Sequence, residues 1–89
     1  MSKEDIIYKL AMKNGSKEKL INAINKIENE EYLSDLIYKY LQNYEVIELI
    51  NLTNNKVNED LLMKVVKKQN DNHIIFYDEI LELKKLEME

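Results

Sequence analysis

The chain has 89 residues and a mass of 10.7 kDa, so it has the size of one domain with a single hydrophobic core. Hydrophobic residues make up 45% and charged residues 34% of the chain, a composition that excludes intrinsic disorder. The net charge is −4 and every basic residue is lysine, which disfavours sequence-specific DNA reading because the bidentate arginine fork is missing.

Residue types needed for several chemistries are rare in the sequence. There is no cysteine, one glycine and one histidine, which removes disulfides, thiolate zinc sites, glycine-rich phosphate loops and histidine-based triads. The longest apolar run, residues 74–77, is too short to span a membrane, and the start of the chain lacks the pattern of a signal peptide. We therefore expect a cytoplasmic protein that is not an enzyme and has no cofactor, no metal and no catalytic residue.

The first two predicted helices each begin at a serine. Ser2, with Asp5 three residues later, indicates a capping box for a helix over residues 3–13, and Gly15 ends that helix. Ser16 caps a second helix that runs to about residue 29. Apolar residues recur at helical spacing on one face of each helix. They are Ile6, Ile7, Leu10 and Ala11 in the first helix, and Leu20, Ala23, Ile24 and Ile27 in the second.

The third and fourth predicted helices carry the broadest apolar patterns. Residues 45–52 are apolar around the whole helix axis apart from Glu48 and Asn51, so we expect this segment to lie deepest in the core. Its branched residues suit a buried strand equally well, but no second strand is predicted to pair with it, and a helix is preferred. The third helix covers residues 32–43. Its core face consists of Leu33, Leu36, Ile37, Tyr40, Leu41 and Tyr44.

Two further helices follow asparagine-rich turns. The fifth has Glu59 and Asp60 after Asn58 and ends in lysines, which matches the helix dipole. The sixth covers residues 73–87, and apolar residues occupy about half of its circumference, which predicts a central or dimer-forming helix. The predicted fold class is all-α, a compact bundle of five to six short helices that forms a single domain over residues 1–89. A short stack of helical hairpins is the alternative.

Titratable residues give no sign of an active site. His73 is the only histidine, and its position at a helix start is typical of a solvated side chain. The carboxylates Asp78, Glu79 and Glu82 share a helix face, but they lack the ligand spacing and the glycine of a calcium loop. Such charge runs are usually solvated faces.

Three lysines gather on one side of the fifth helix, namely Lys64, Lys67 and Lys68. They are able to follow a phosphate backbone, which would indicate nucleic-acid binding. Lysines at a helix end also complement the helix dipole, and Asp60 lies four residues before Lys64, where it is expected to pair with it. The second interpretation is preferred, and nucleic-acid binding stays an alternative.

Partner-binding residues are predicted on two helices. Tyr38 falls among polar positions of the third helix and is expected to be exposed. Exposed tyrosines are enriched at protein interfaces, which makes Tyr38 a candidate contact residue. Ile75 and Leu86 lie on the otherwise polar face of the sixth helix together with Glu79 and Glu82. These four residues predict a contact stripe.

The functional hypothesis is a small acidic helical module for protein–protein interaction, which acts by surface occlusion as an inhibitor or adaptor. An acidic surface steers onto a basic partner, so a protein with a basic surface is expected. The Lys-, Asn- and Ile-rich composition is typical of an AT-biased genome, which favours a phage, a mobile element or a low-GC bacterium. The alternative is a transcriptional regulator that binds nucleic acid through its lysines. A homodimer through the sixth helix is a separate expectation.

Overall fold

Five α-helices form the part of the chain that the computed structural model describes, which is residues 2–68 without the side chains of Val66 and Lys68. No strand occurs within this part, so the all-α bundle predicted from the sequence is confirmed for it. The sixth helix predicted over residues 73–87 lies outside the described residues. The five helices are α1 (Lys3–Asn14), α2 (Lys17–Lys26), α3 (Glu30–Leu41), α4 (Val46–Leu52) and α5 (Glu59–Lys68).

Polar side chains begin four of the helices. Ser2 and Asp5 form the predicted capping box of α1, in which each side chain accepts a hydrogen bond from the backbone N–H of the other residue. Ser16 caps α2 as predicted, and Asn29 and Asn58 accept from backbone amides in the first turns of α3 and α5. These caps satisfy amide groups that have no partner within the helix.

Left-handed backbone marks two of the turns. Gly15, with φ of 70°, ends α1, and Asn54 and Asn55, with φ of 52° and 65°, lead out of α4. Thr53 lies between α4 and these two asparagines. Its buried hydroxyl donates to a carbonyl of α4 at 2.8 Å and accepts from the Val57 amide at 3.2 Å. The prediction that asparagines turn the chain is confirmed here.

The core lies around α3, which packs closely against α1, α2 and α5. All four residues of the apolar stripe predicted on α2 are buried, and so is the predicted core face of α3 apart from the partly buried Tyr44. Together they give one continuous hydrophobic core. Its fully buried large side chains are Leu20, Ile24, Ile27, Leu36, Ile37, Tyr40, Leu49, Val57, Leu62 and Val65.

The bounds of two predicted helices are shifted. α2 ends at Lys26, before residue 29, and α3 runs over Glu30–Leu41 where residues 32–43 were expected. The reason is the Asn29 side chain, which accepts from the Tyr32 amide and so starts α3 two residues early. Cap geometry therefore decides these boundaries, as is usual at helix ends.

α4 is a helix as preferred from the sequence, but the expectation that it lies deepest in the core is wrong. Only Val46 and Leu49 are buried, whereas Ile47 and Leu52 are 47% and 48% exposed. With seven residues the helix makes about two turns, and the bundle covers one side of it. An apolar residue on every side of a helix therefore does not ensure that every side is covered.

Candidate functional site

The other helices cover only part of the apolar face of α1. The sequence places Ile6, Ile7, Leu10 and Ala11 on one face, and the structure buries Ala11 fully and Ile7 partly. Ile6 is 48% exposed and Leu10 is 62% exposed. Part of this apolar face is therefore presented to solvent, and Leu10 lies on the side of α1 that borders α2.

A groove of about 240 Å³ runs between α1 and α2 at this position. Its floor is apolar, and Ala11 and Ala23 give it depth because their side chains end at a methyl group. Its polar rim consists of Lys19, Asn22 and Lys26, which recur at helical spacing on one face of α2. The residues that line the groove are Ile7, Leu10, Ala11, Lys19, Asn22, Ala23 and Lys26.

The charge around the groove is opposite to the charge of the whole chain. Residues 2–26, which contain both walls, hold six lysines and three carboxylates. Residues 1–68 hold eleven lysines and eleven carboxylates, and residues 69–89 hold two lysines and six carboxylates, so the last segment accounts for the net charge of −4. The groove is therefore a basic and apolar surface on a protein that is acidic overall.

A pair of stacked tyrosines fixes the inner side of α1 to α3. The rings of Tyr8 and Tyr32 lie 4.1 Å apart, centre to centre, at 12° to each other. The Tyr8 hydroxyl donates to Asp35 Oδ2 at 2.7 Å, and the Tyr32 hydroxyl donates to Asp5 Oδ1. With this pair holding α1 from the inside, its outer side stays free to line the groove.

These hydrogen bonds change the acidity of the groups that form them. The bond to Asp35, with smaller effects of burial and of the carboxylate charge, raises the pKa of Tyr8 to about 12. The bond to Asp5 likewise raises the pKa of Tyr32, and the same bond together with the Ser2 amide lowers the pKa of Asp5. Both tyrosines are therefore neutral donors at neutral pH, and their role is structural.

Glu4 connects the start of α1 with the junction between α2 and α3. Its two carboxylate oxygens accept from the backbone amides of Glu28 and Asn29, at 3.2 and 3.1 Å. A carboxylate suits this position because the junction leads into the N-terminus of α3, where unpaired amides carry partial positive charge.

Lys56, from the turn before α5, caps the C-terminal end of α2. Its ammonium group donates to the carbonyl oxygens of Ile24 at 2.7 Å, Asn25 at 3.2 Å and Ile27 at 2.7 Å. A cation is favourable there because the last carbonyls of a helix carry partial negative charge. No local signal in the sequence identifies this cap, since the lysine lies about 30 residues away along the chain. Both walls of the groove are thus held in place by contacts from other elements.

A second polar cluster joins the start of α2 to α4. Lys17 forms an ion pair with Glu48, and its ammonium lies 5.2 Å from the centre of the Tyr44 ring. Burial raises the pKa of Tyr40 to about 12, and the neighbouring Glu48 carboxylate shifts it in the same direction. These contacts join α2 to α4. Because Lys17 and Glu48 are paired with each other, we assign them a structural role.

One of the five predicted partner-binding residues can be located. Tyr38 is half-buried and packs against the core, so the expectation that it is exposed is wrong. Its aromatic ring reaches the apolar core even though its neighbours along the helix are polar. Ile75, Glu79, Glu82 and Leu86 lie outside the described residues.

The predicted lysine group on α5 is described in part. Lys64 and Lys67 are exposed, and the side chain of Lys68 is not described. The Lys64 ammonium lies 3.4 Å from Glu30 Oε1 of α3, where the sequence had suggested Asp60 as its partner. A carboxylate from another helix therefore offsets part of the positive charge that a phosphate backbone would need.

Three further features of residues 2–68 bear on ligand binding. A cavity of about 50 Å³ beside Ser34, between α3 and α5, has room for about one water molecule at ~30 Å³ each. No group of three or more carboxylate or imidazole side chains in this part of the chain is arranged to hold a metal ion. None of the described helices is long and apolar enough to cross a membrane.

Comparison with known proteins finds no matching family model, no matching curated protein and no matching solved structure. Function is therefore inferred from the surface of the described residues. On that surface, the groove between α1 and α2 combines exposed apolar side chains, a basic rim and walls that are fixed from the inside.

Proposed function

We propose that the protein is a small helical interaction module that binds an apolar segment of a partner protein in the groove between α1 and α2. The observation that carries the proposal is the exposure of Leu10, at 62%, on the edge of an apolar groove whose walls are held by contacts with α3 and Lys56. Burial of apolar surface stabilises a complex by roughly 25 cal/mol per Å² before association costs are subtracted. A preformed groove lowers those costs because little has to be ordered on binding.

The module is proposed to act by occlusion, as an inhibitor or adaptor, and to catalyse nothing itself. The volume of about 240 Å³ supports this, because small-molecule sites usually have about 300–1,000 Å³. A groove of this size suits one or two side chains of a larger partner. A cytoplasmic location and an origin in a phage, mobile element or low-GC bacterium belong to the same proposal, on the ground of composition alone.

The expectation of a basic partner concerns a different segment of the chain. It rests on the acidic residues of the chain, and the excess of these residues lies in residues 69–89. That segment also contains the predicted contact stripe with Glu79 and Glu82 and the apolar face proposed for a homodimer. A basic partner and self-association therefore remain separate proposals for that segment.

Nucleic-acid binding through α5 is the alternative function. The ion pair of Lys64 with Glu30 argues against it, because the carboxylate would face the phosphates as well. An electrophoretic shift with nucleic acid at low salt, weakening steeply as salt rises, would support the alternative.

The proposed function is tested by site-specific photo-crosslinking in the source cell. Leu10 is replaced by a photoreactive phenylalanine derivative, and in a matched control the same residue replaces Ile47, which is exposed but lies on α4. We expect a defined protein adduct from position 10 and none from position 47. Adducts of equal yield from both positions, or no adduct from position 10, would overturn the proposal.

A further inference from the structure

The charge of the groove indicates what kind of segment it takes. We propose that the α1–α2 groove selects an acidic amphipathic helix, in which two carboxylates seven residues apart flank the apolar side chains that enter the groove. This inference rests on the proposed function and specifies the chemistry of the partner.

Two lysines of the groove, Lys19 and Lys26, carry charge that no described carboxylate pairs with. Within residues 2–68, neither Lys19 nor Lys26 takes part in an ion pair, whereas Lys17, Lys56 and Lys64 each lie near a carboxylate. Among residues 2–68, no carboxylate lines the groove. A partner that covers this rim has to supply negative charge, because burial of an unpaired ammonium is costly.

The spacing of the lysines suits a helix. Lys19 and Lys26 are seven residues apart on α2, which corresponds to about two turns and roughly 10.5 Å along the axis. A partner helix that lies along α2 has the same rise per residue, so its carboxylates at positions i and i+7 match the two ammonium groups. Asn22 lies between the lysines and can donate to a polar side chain or accept from it.

The apolar part of the groove fits the same orientation. Side chains at positions i+3 and i+4 of the partner helix lie on the face that also carries i and i+7. They would pack between Leu10 and the alanine floor formed by Ala11 and Ala23. Packing the side chains of one helix into the groove between two others is an ordinary mode of helix recognition.

The test is fluorescence anisotropy with two labelled helical peptides and the full 89-residue chain. One peptide has Glu at i and i+7 and Leu at i+3 and i+4, and the other differs only in having Lys at i and i+7. We expect the Glu peptide to bind about tenfold more tightly at low salt, a difference of ~1.4 kcal/mol, and the preference to narrow as salt screens the charges.

A charge-swap variant makes the test specific to the rim. In the double variant Lys19→Glu with Lys26→Glu, we expect the preference to reverse in favour of the Lys peptide. The control is Lys3→Glu with Lys67→Glu, which changes the net charge equally at two exposed residues outside the groove lining. In the control the preference for the Glu peptide should persist.

The outcomes separate this inference from the proposed function. Equal binding of the two peptides, binding of neither, or a preference that survives the charge swap would overturn the acidic-helix inference. If position 10 still gives a defined crosslink in any of these cases, the groove binds a partner of different chemistry and the proposed function stands. If the Glu peptide binds as expected and position 10 gives no adduct in the cell, the proposed function falls while the selectivity of the groove holds.

Discussion

Single residues far apart in the sequence decide whether the walls of the groove are stable. Lys56 is the clearest case, because its side chain, only 24% exposed, donates to three carbonyl oxygens at the end of α2. Hydrogen bonds that involve a charged group contribute about 1.5–3 kcal/mol when they are well formed. A lysine in a turn thus supports a helix that it does not adjoin in sequence.

Replacing Lys56 by methionine keeps the aliphatic part of the side chain and removes the ammonium group. We expect the free energy of unfolding to fall by about 1.5–3 kcal/mol, because the last carbonyls of α2 lose their donor. Urea denaturation followed by circular dichroism measures this change. Lys67→Met, at an exposed position of α5, is the control and should change stability by less than about 0.5 kcal/mol. Equal effects of the two substitutions would show that the cap contributes nothing.

Gly15 is the second position where one residue fixes local structure. Its φ of 70° is unfavourable for a side chain, and an added Cβ would lie 3.1 Å from Lys39 Cε. We expect Gly15→Ala to destabilise the protein by about 1–2 kcal/mol, and Gly15→Asn by less, because asparagine tolerates left-handed backbone. Thermal unfolding of the two variants tests this order. An alanine variant that is more stable than the asparagine variant would contradict it.

At the level of the helices, the stacked tyrosines that join α1 to α3 give the protein a pH dependence. The pKa of Tyr8 is about 12 in the folded protein and about 10 in an unfolded chain. Because the folded pKa is the higher one, the contribution of Tyr8 is complete below about pH 10 and is lost as the pH rises towards 12.

Tyr8→Phe removes the hydroxyl group and keeps the stacked ring. We expect it to cost about 1 kcal/mol at pH 8, and the difference from the unmodified protein to shrink between pH 10 and pH 12. Urea denaturation at pH 8, 10 and 11 measures the difference directly. Tyr44→Phe is the control for the loss of a tyrosine hydroxyl in general, because the contacts described for Tyr44 involve its ring. A difference for Tyr8→Phe that is constant with pH would contradict the assignment.

The two sides of α4 should respond differently to truncation. Leu49 is fully buried and Ile47 is 47% exposed, although both are large aliphatic residues in the same short helix. We expect Leu49→Ala to cost about 2–5 kcal/mol and Ile47→Ala to stay within about 0.5 kcal/mol. Similar losses for both, measured by urea denaturation, would mean that α4 is covered on all sides.

The sequence predicts those parts of the fold that depend on local chemistry. Ser2, Ser16 and Gly15 mark helix ends through hydrogen bonds and backbone angles that involve only a few neighbouring residues. The stripe on α2 is visible because helical spacing puts its apolar residues on one face. The helix ends are confirmed because no distant part of the chain is needed to form them, and the stripe is confirmed because other helices cover the face that it marks.

The candidate site depends on contacts that the sequence does not display. Helical spacing shows that Ile6 and Leu10 share a face with Ala11, but it does not show how much of that face a neighbouring helix will cover. The same reason explains the half-buried Tyr38 and the exposed Ile47. Burial is a property of the assembled bundle, so the groove becomes visible only when the helices are placed together.

For the whole molecule, the important feature is the separation of charge along the chain. Residues 1–68 carry no net charge and residues 69–89 carry −4, while the groove surface in residues 2–26 is basic. The composition of the whole chain predicts a partner with a basic surface, whereas the groove favours an acidic partner. Net charge therefore describes solubility and long-range steering better than it describes an individual binding surface.

The proposal requires that the groove is open to solvent in the complete 89-residue chain. The most direct measurement is methyl NMR of the full chain with a soluble paramagnetic reagent, which broadens the signals of exposed methyl groups. We expect Ile6 and Leu10 to be broadened as strongly as the exposed Ile47 and Leu52, and Leu49 to be protected. Protection of Leu10 at every protein concentration would show that the chain covers its own groove, and that result would contradict the proposed binding surface.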